Sequence, residues 1–367
     1  MRTMQVRNVK PSTCTRFGSV RSVLSPASAV CVGAALVCLA SGRAGVLDQN
    51  TGPTLSVTEL WATRGSPTLG EFVAIGGMAE AADGSVWVSD PRLGQVMVLD
   101  SQGTPKRIAA RRGEGPGEVR SPTRIARAYG NQLAVYDIGR ASVEIFEPDG
   151  RFARRVRLPF RVVFAKGFAA LPTGGFVVSG GVYGKQTSIH RFGPGGRLEE
   201  SWYPIPGTRN PRAAVTLAGG PLAAEADGSL LFAQAAPLRI MVFPPSFPES
   251  GGEPIILVPE SDLVPAIGDE VIVETVERGE LVRTFRLGYP QARAIFRRRD
   301  QTILCVVTLA EEDRSIWLLY GPSGRARAQR EMGRAYLPWS VTDSGDVLAS
   351  YISTETGEHF AVRLAIR

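Results

Sequence analysis

Histidine is almost missing from this chain: His190 and His359 are the only two in 367 residues. Zinc sites draw on clusters of His and Cys, so the shortage excludes most of that chemistry. A Ser-His-Asp hydrolase would depend on one of these two side chains. Cysteine is equally thin. Cys14, Cys31 and Cys38 fall in the first forty residues, and Cys305 stands alone afterwards. There is no disulfide scaffold, and Cys305, inside the apolar run TILCVVTL, reads as a small buried hydrophobe. Lysine occurs only at Lys10, Lys106, Lys166 and Lys185; against many arginines, this reads as compositional bias and not as a site. No stretch carries a sustained helical period, and the apolar run 27–40 is short for a membrane span.

What is present begins with a basic leader. Arg2, Arg7, Lys10, Arg16, Arg21 and Arg43 lie in residues 1–44, with no acid before Asp48. The run ASAVCVGAALVCLA follows, then small residues that offer cleavage after Ala40 or Ala44. We read 1–44 as a signal peptide or N-terminal anchor and 45–367 as the folded domain. Localisation is then exported, to the periplasm or beyond, or membrane-anchored through this segment if it is uncleaved. Lipid attachment at Cys38 is the weaker reading, because Val37 stands where a lipobox wants a small residue. The six basic residues account for most of the net charge of +7 and leave +1 for the rest. That balance argues against a nucleic-acid partner, which would want a basic face on the folded part.

The folded part repeats. Residues 64–103 align on 111–150 over forty columns without a gap, 47 residues apart. Gly70-Glu71 falls on Gly117-Glu118, Asp90 on Asp137 and Gly103 on Gly150. Each unit reads as a small-residue strand, a Gly or Asp turn, a strongly apolar strand, a loop, a third alternating strand and a second turn. Weaker copies follow, with apolar anchors at Val86, Leu133, Phe176, Leu230, Ile303 and Val347, spaced 47, 43, 54, 73 and 44 apart. Such spacings suit four-stranded blades. The pattern predicts an all-β, six-bladed β-propeller. Its first strands are rich in alanine because blades crowd at the axis. Segment 54–61 is the expected outer strand of the blade ending at 360–366, which removes a free sheet edge.

The stretch Arg112-Gly113-Glu114-Gly115-Pro116-Gly117-Glu118, with Leu133–Asp137, Val143–Phe146 and Asp149-Gly150, resembles six-bladed propellers of the NHL-repeat type, including exported bacterial members. The resemblance covers blades one and two well, blade three fairly and the later copies weakly; Gln234 stands where Asp137 would align. It implies scaffolds, ligand sensors and a few enzymes, so it does not choose a function.

Candidate sites divide into structural and functional ones. GEGPGE lacks the Lys-Ser/Thr of a phosphate loop. Gly113, Gly115 and Gly117 are expected to permit positive φ in a tight crossover, with Pro116 between them. Glu118 and Glu71 are expected to accept backbone N–H bonds, and Asp90 and Asp137 to hold their loops by Asx-type bonds. The basic run Arg151–Arg157 reads as the solvated face of an outer strand, and Arg297–Arg299 precedes a strand at a turn; binding of an acidic partner is the alternative to a solvated face. The widest gap between anchors holds two alternating runs about Arg278-Gly279, which predict a hairpin. Its Glu270, Glu274 and Glu277 are expected to face Arg283 and Arg286, and it is the candidate recognition element; the alternative is that part of this stretch is the normal outer strand of a blade and its crossover. The functional expectation is an exported binding or scaffold module for an unknown protein or small ligand of the cell envelope, with no catalytic residue and no cofactor. The alternative is a metal-dependent, lactonase-like hydrolase. It would bind calcium at the axial mouth through carboxylates such as Glu80, Asp227 and Asp343.

Overall fold

Six short apolar runs, each preceded by a Gly or Asp turn, become the second strands of six sheets. The computed structural model describes residues 54–205, 217–234, 238–247, 253–261, 270–277, 280–287, 291–308, 314–333 and 336–367. Within them the second strands begin at Val86, Leu133, Phe176, Leu230, Ile303 and Val347. Each belongs to a four-stranded antiparallel sheet. Blades one to five span 77–110, 122–157, 163–204, 222–261 and 291–332. Blade six joins 337–366 to Val57–Thr63. The leader and segment 1–53 lie outside the described residues.

Alternation along the second strands builds six cores, one in each gap between blades. In blade one, Val86 and Val88 face blade six, while Trp87 faces blade two and meets Phe146 with ring centroids 5.4 Å apart. In blade two, Leu133 and Val135 face blade one, and Ala134 and Tyr136 face blade three. Strands apolar on both faces are what a sheet needs when both of its faces are covered. Each buried Val or Leu removes roughly 1.5–3 kcal/mol worth of apolar surface from water.

The first strands pack side by side in a ring: Gly77–Glu80, Pro122–Arg127, Val163–Ala170, Leu222–Ala224, Gln291–Arg297 and Leu337–Val341. Crowding there is tight enough to forbid a side chain at some positions. A Cβ on Gly77 would come within 2.9 Å of the Arg124 Cα, and one on Gly167 within 2.7 Å of the Leu222 amide nitrogen.

The ring closes through its two ends. Val57–Thr63 pairs antiparallel with His359–Ile366, Val57 opposite Ile366 and Thr63 opposite Ala361. Ser56 and Arg367 exchange backbone hydrogen bonds of 2.8 and 2.9 Å. Leu55 is buried in the core between blades five and six. The hairpin also forms. Glu270–Glu277 pairs with Glu280–Leu287 as a two-stranded sheet of its own, between the outer strand of blade four, Ile255–Ser261, and the first strand of blade five.

Candidate functional site

The first strands surround an axial channel with two chambers. The wider one, 270 Å³, lies at the ends of these strands and is lined by Glu80, Arg127, Ala170, Glu225, Arg297 and Asp343, one from each blade or the turn that follows its first strand. The narrower one, 40 Å³, lies nearer their starts. Ile125, Phe168, Leu222, Phe296 and Trp339 line both and form an apolar waist.

Charges at the wide mouth neutralise one another. Asp343 accepts two bonds of 2.9 Å from Arg127. Its backbone N–H donates to Glu80 at 2.7 Å, and Glu80 stands 3.4 Å from Arg363. Arg297 bonds Glu225 at 3.1 Å. Of the carboxylates considered for calcium, Glu80 and Asp343 therefore share the mouth but are already engaged. Asp227 is held in its turn by the Ser229 N–H and hydroxyl at 2.9 and 2.7 Å. Among the described residues no group of three or more His, Cys, Asp or Glu could hold a metal ion.

The narrow chamber has a different character. Arg124, Lys166 and Arg293 all line it. Irregular pairing brings two of them there. The first strand of blade five bulges between Ala292 and Ala294, so Arg293 is the unpaired extra residue. Blade three breaks register between Val163 and Gly167, around Lys166. Blade six does the same between Pro338 and Ser340, around Trp339, and the Arg124 guanidinium lies 5.0 Å over the Trp339 ring. Bulges re-aim side chains that a regular strand would hold against the neighbouring blade. Burial pushes the Lys166 ammonium down to about 7, and the nearby Arg293 charge adds to the shift. Burial likewise lowers Arg124 to about 10 and also lowers Arg293. Sequence reasoning assigned these three residues no role. The one available signal was a cation beside the small residues of a first strand.

The glycine-rich loop lies outside the channel. Its Glu118 carboxylate accepts from the Gly115 N–H at 2.6 Å. Gly117 has positive φ (+73°). Gly113 and Gly115 do not; a Cβ on Gly113 would displace the Glu118 carboxylate from its present position. Glu71 instead faces Arg64 at 3.2 Å. A depression of 490 Å³ beside this loop is lined by Glu114, Pro116, Phe152, Arg155 and Arg157. Two of its charges are occupied locally: Glu114 bonds Arg120 at 2.5 Å, and Arg155 bonds the buried Glu144 at 2.6 Å. Asp90 and Asp137 are fully buried. Asp90 accepts from the N–H groups of Val73, Ala74, Arg92 and Leu93 at 2.7–3.1 Å, and Asp137 from those of Arg120, Ser121 and Gly139 at 2.7–2.9 Å.

Neither histidine lines a chamber. His190 is buried against Phe160, with Nδ1 2.9 Å from the Ser201 hydroxyl, and burial pushes it down to about 4. In the hairpin, Glu274 stands opposite Arg283. Glu270 is opposite Leu287, Glu277 opposite Glu280 and Arg286 opposite Val271. The turn residues Arg278 and Gly279 lie outside the described residues.

No protein-family model and no curated protein matches the sequence. Solved structures match in fold. A candidate exported protein of Bacteroides fragilis gives a TM-score of 0.55 at 12% identity, over 87% of this chain and 97% of its own. The WD40 repeats of RRP9 give 0.53 at 10% identity, over 86% and 99%. Virginiamycin B lyase from Staphylococcus aureus gives 0.50 at 10% identity, over 85% and 99%. At such identities the likeness is one of fold, and the fold serves an exported protein, a WD40-repeat protein and a lyase alike.

Proposed function

We propose that the chain is an exported β-propeller of the NHL-repeat type that acts as a binding module for a protein partner in the cell envelope. The hairpin carries this reading. It is inserted between two complete blades and forms a sheet that no blade requires. An element that the ring does not need for closure, set on a rigid scaffold, is the kind of structure used for recognition. Export is supported by the basic leader, its apolar run and the small residues that follow. The fold likeness to a candidate exported protein agrees with it.

Binding is favoured over catalysis by the mouth of the channel. Its carboxylates and guanidinium groups are paired with each other, so none is poised as a free base or nucleophile. Virginiamycin B lyase becomes catalytically inactive when one histidine is replaced by alanine; here both histidines lie away from the chambers.

Replacing residues 262–290 by a short Gly-Ser link tests the reading. The shortened protein is expected to keep its melting temperature within a few degrees. It should also lose the proteins that the parent captures in side-by-side cross-linking from envelope fractions. Identical capture by both proteins would place recognition elsewhere and sink the assignment to the hairpin.

A further inference from the structure

Paired charges fill the wide chamber of the channel, but the narrow one holds charge of a single sign. Arg124, Lys166 and Arg293 line it and no carboxylate does. The three cations differ in what they have left to give. Arg124 donates to the carbonyls of Gly76 and Thr123 at 2.8 and 2.7 Å and to that of Ala165, so it forms a fixed, charged wall. Lys166 has no such partners: its Nζ is buried and makes no hydrogen bond. Arg293 gives Nε to the Thr308 hydroxyl at 3.0 Å, its only hydrogen bond among the described residues. Its terminal nitrogens remain as donors. Arg293 is solvent-accessible along the chamber it lines, yet the surrounding protein desolvates its charge and lowers its pKa.

A buried ammonium without an acceptor is among the most costly groups a protein can hold. The like charge of Arg293 nearby raises that cost. The bulge at Arg293 and the broken register around Lys166 bring these side chains to the chamber, where regular strands would have pointed them between blades. We propose that the narrow chamber is a binding site for one small oxyanion, of the sulfate, phosphate or carboxylate class. The Lys166 ammonium and the Arg293 guanidinium bind it against the Arg124 wall.

An oxyanion supplies what the chamber lacks: negative charge and several acceptor lone pairs, which charge-assisted donors bind best. The volume of 40 Å³ takes one such group, and the apolar waist beyond it rejects a longer polar chain. Proton linkage follows from the groups that face the chamber: Lys166 on blade three, Arg124 on blade two and Arg293 on blade five. Blades one, four and six contribute Gly77, Met78, Pro221, Leu222, Pro338 and Trp339, none of which titrates. Arg124 stays charged up to about pH 10, whereas Lys166 without an anion is half neutral near pH 7. Binding above that pH must first restore its proton, so affinity falls by up to about tenfold per pH unit.

Thermal unfolding and calorimetry of the full chain with sodium sulfate, against sodium chloride of equal ionic strength, test the proposal. Sulfate keeps its charge across this pH range, so a pH effect belongs to the protein. Sulfate is expected to raise the melting temperature where chloride does not, and to bind more weakly as pH rises from 7 to 9. Lys166→Met should abolish the sulfate effect while melting higher than the parent in chloride alone, because the unpaired charge is gone. Arg293→Gln, which keeps the Thr308 contact within reach, should weaken sulfate by about 10- to 100-fold. It serves as the second variant should Lys166→Met fail to fold. Acetate as a further arm separates the two sources: a stronger shift than with sulfate marks a small carboxylate as the natural occupant, a weaker one an inorganic anion. Equal shifts with sulfate and chloride, or a sulfate shift undiminished in both variants, would overturn the proposal.

Discussion

Asp90 shows how much a single buried side chain organises here. Four backbone N–H groups from two different loops converge on its carboxylate, and three converge on that of Asp137. Each ties the crossover entering a blade to the loop leaving the second strand. The hold on the loop after the strand was legible from sequence, because Asp at the end of an apolar strand commonly makes Asx-type bonds, whereas the bonds from the preceding crossover were not. Gly117 belongs to the same crossover. Its positive φ already disfavours a β-branched residue, and a Cβ there would come within 2.9 Å of the Phe152 Cβ. Gly117→Val is expected to cost about 1–3 kcal/mol, read as a lower denaturant midpoint. His190 gives a pH dependence of definite sign. Its folded value of about 4 lies below the ordinary 6.5, so the unfolded chain takes up a proton first as pH falls. Stability is therefore lost between about pH 6.5 and 4, by up to roughly 3 kcal/mol. Denaturant titrations at the two ends of that window should show the loss in the parent, and His190→Gln should flatten it.

At the scale of elements, the second strands were the most readable parts. Their apolar runs are bounded by turn residues, and each begins at its anticipated anchor. The spacing of 73 between two anchors exposed the inserted hairpin for the same reason, although in its backbone register Glu274 and Arg283 are directly opposite while the other named charges are not opposite one another. First strands were harder. A bulge shifts which residues face the axis, and a period-2 pattern carries no mark of where a bulge falls. Lys166 and Arg293 were invisible as channel residues on that account. The strand Val57–Thr63 allows a sharper test than any of these. Deleting residues 54–63 removes Leu55 from a buried core and uncovers the length of His359–Ile366. Loss of cooperative unfolding, or a fall of many degrees in the melting temperature, is expected. A deletion variant that melts like the parent would show that the seam contributes nothing.

As a whole molecule, the protein spreads its apolar interior over six thin gaps, each shared by two blades. No blade can bury both of its faces alone, which is the condition that makes repeat folds stand or fall together. The seam adds a constraint in time. Val57–Thr63 leaves the ribosome first among the described strands, and its partner His359–Ile366 leaves last. Blade six stays one strand short, and the arc of blades keeps two bare flanks, until the final residues arrive. A chain built this way cannot complete its fold while part of it is still being made. That delay keeps the polypeptide open until His359–Ile366 has been made.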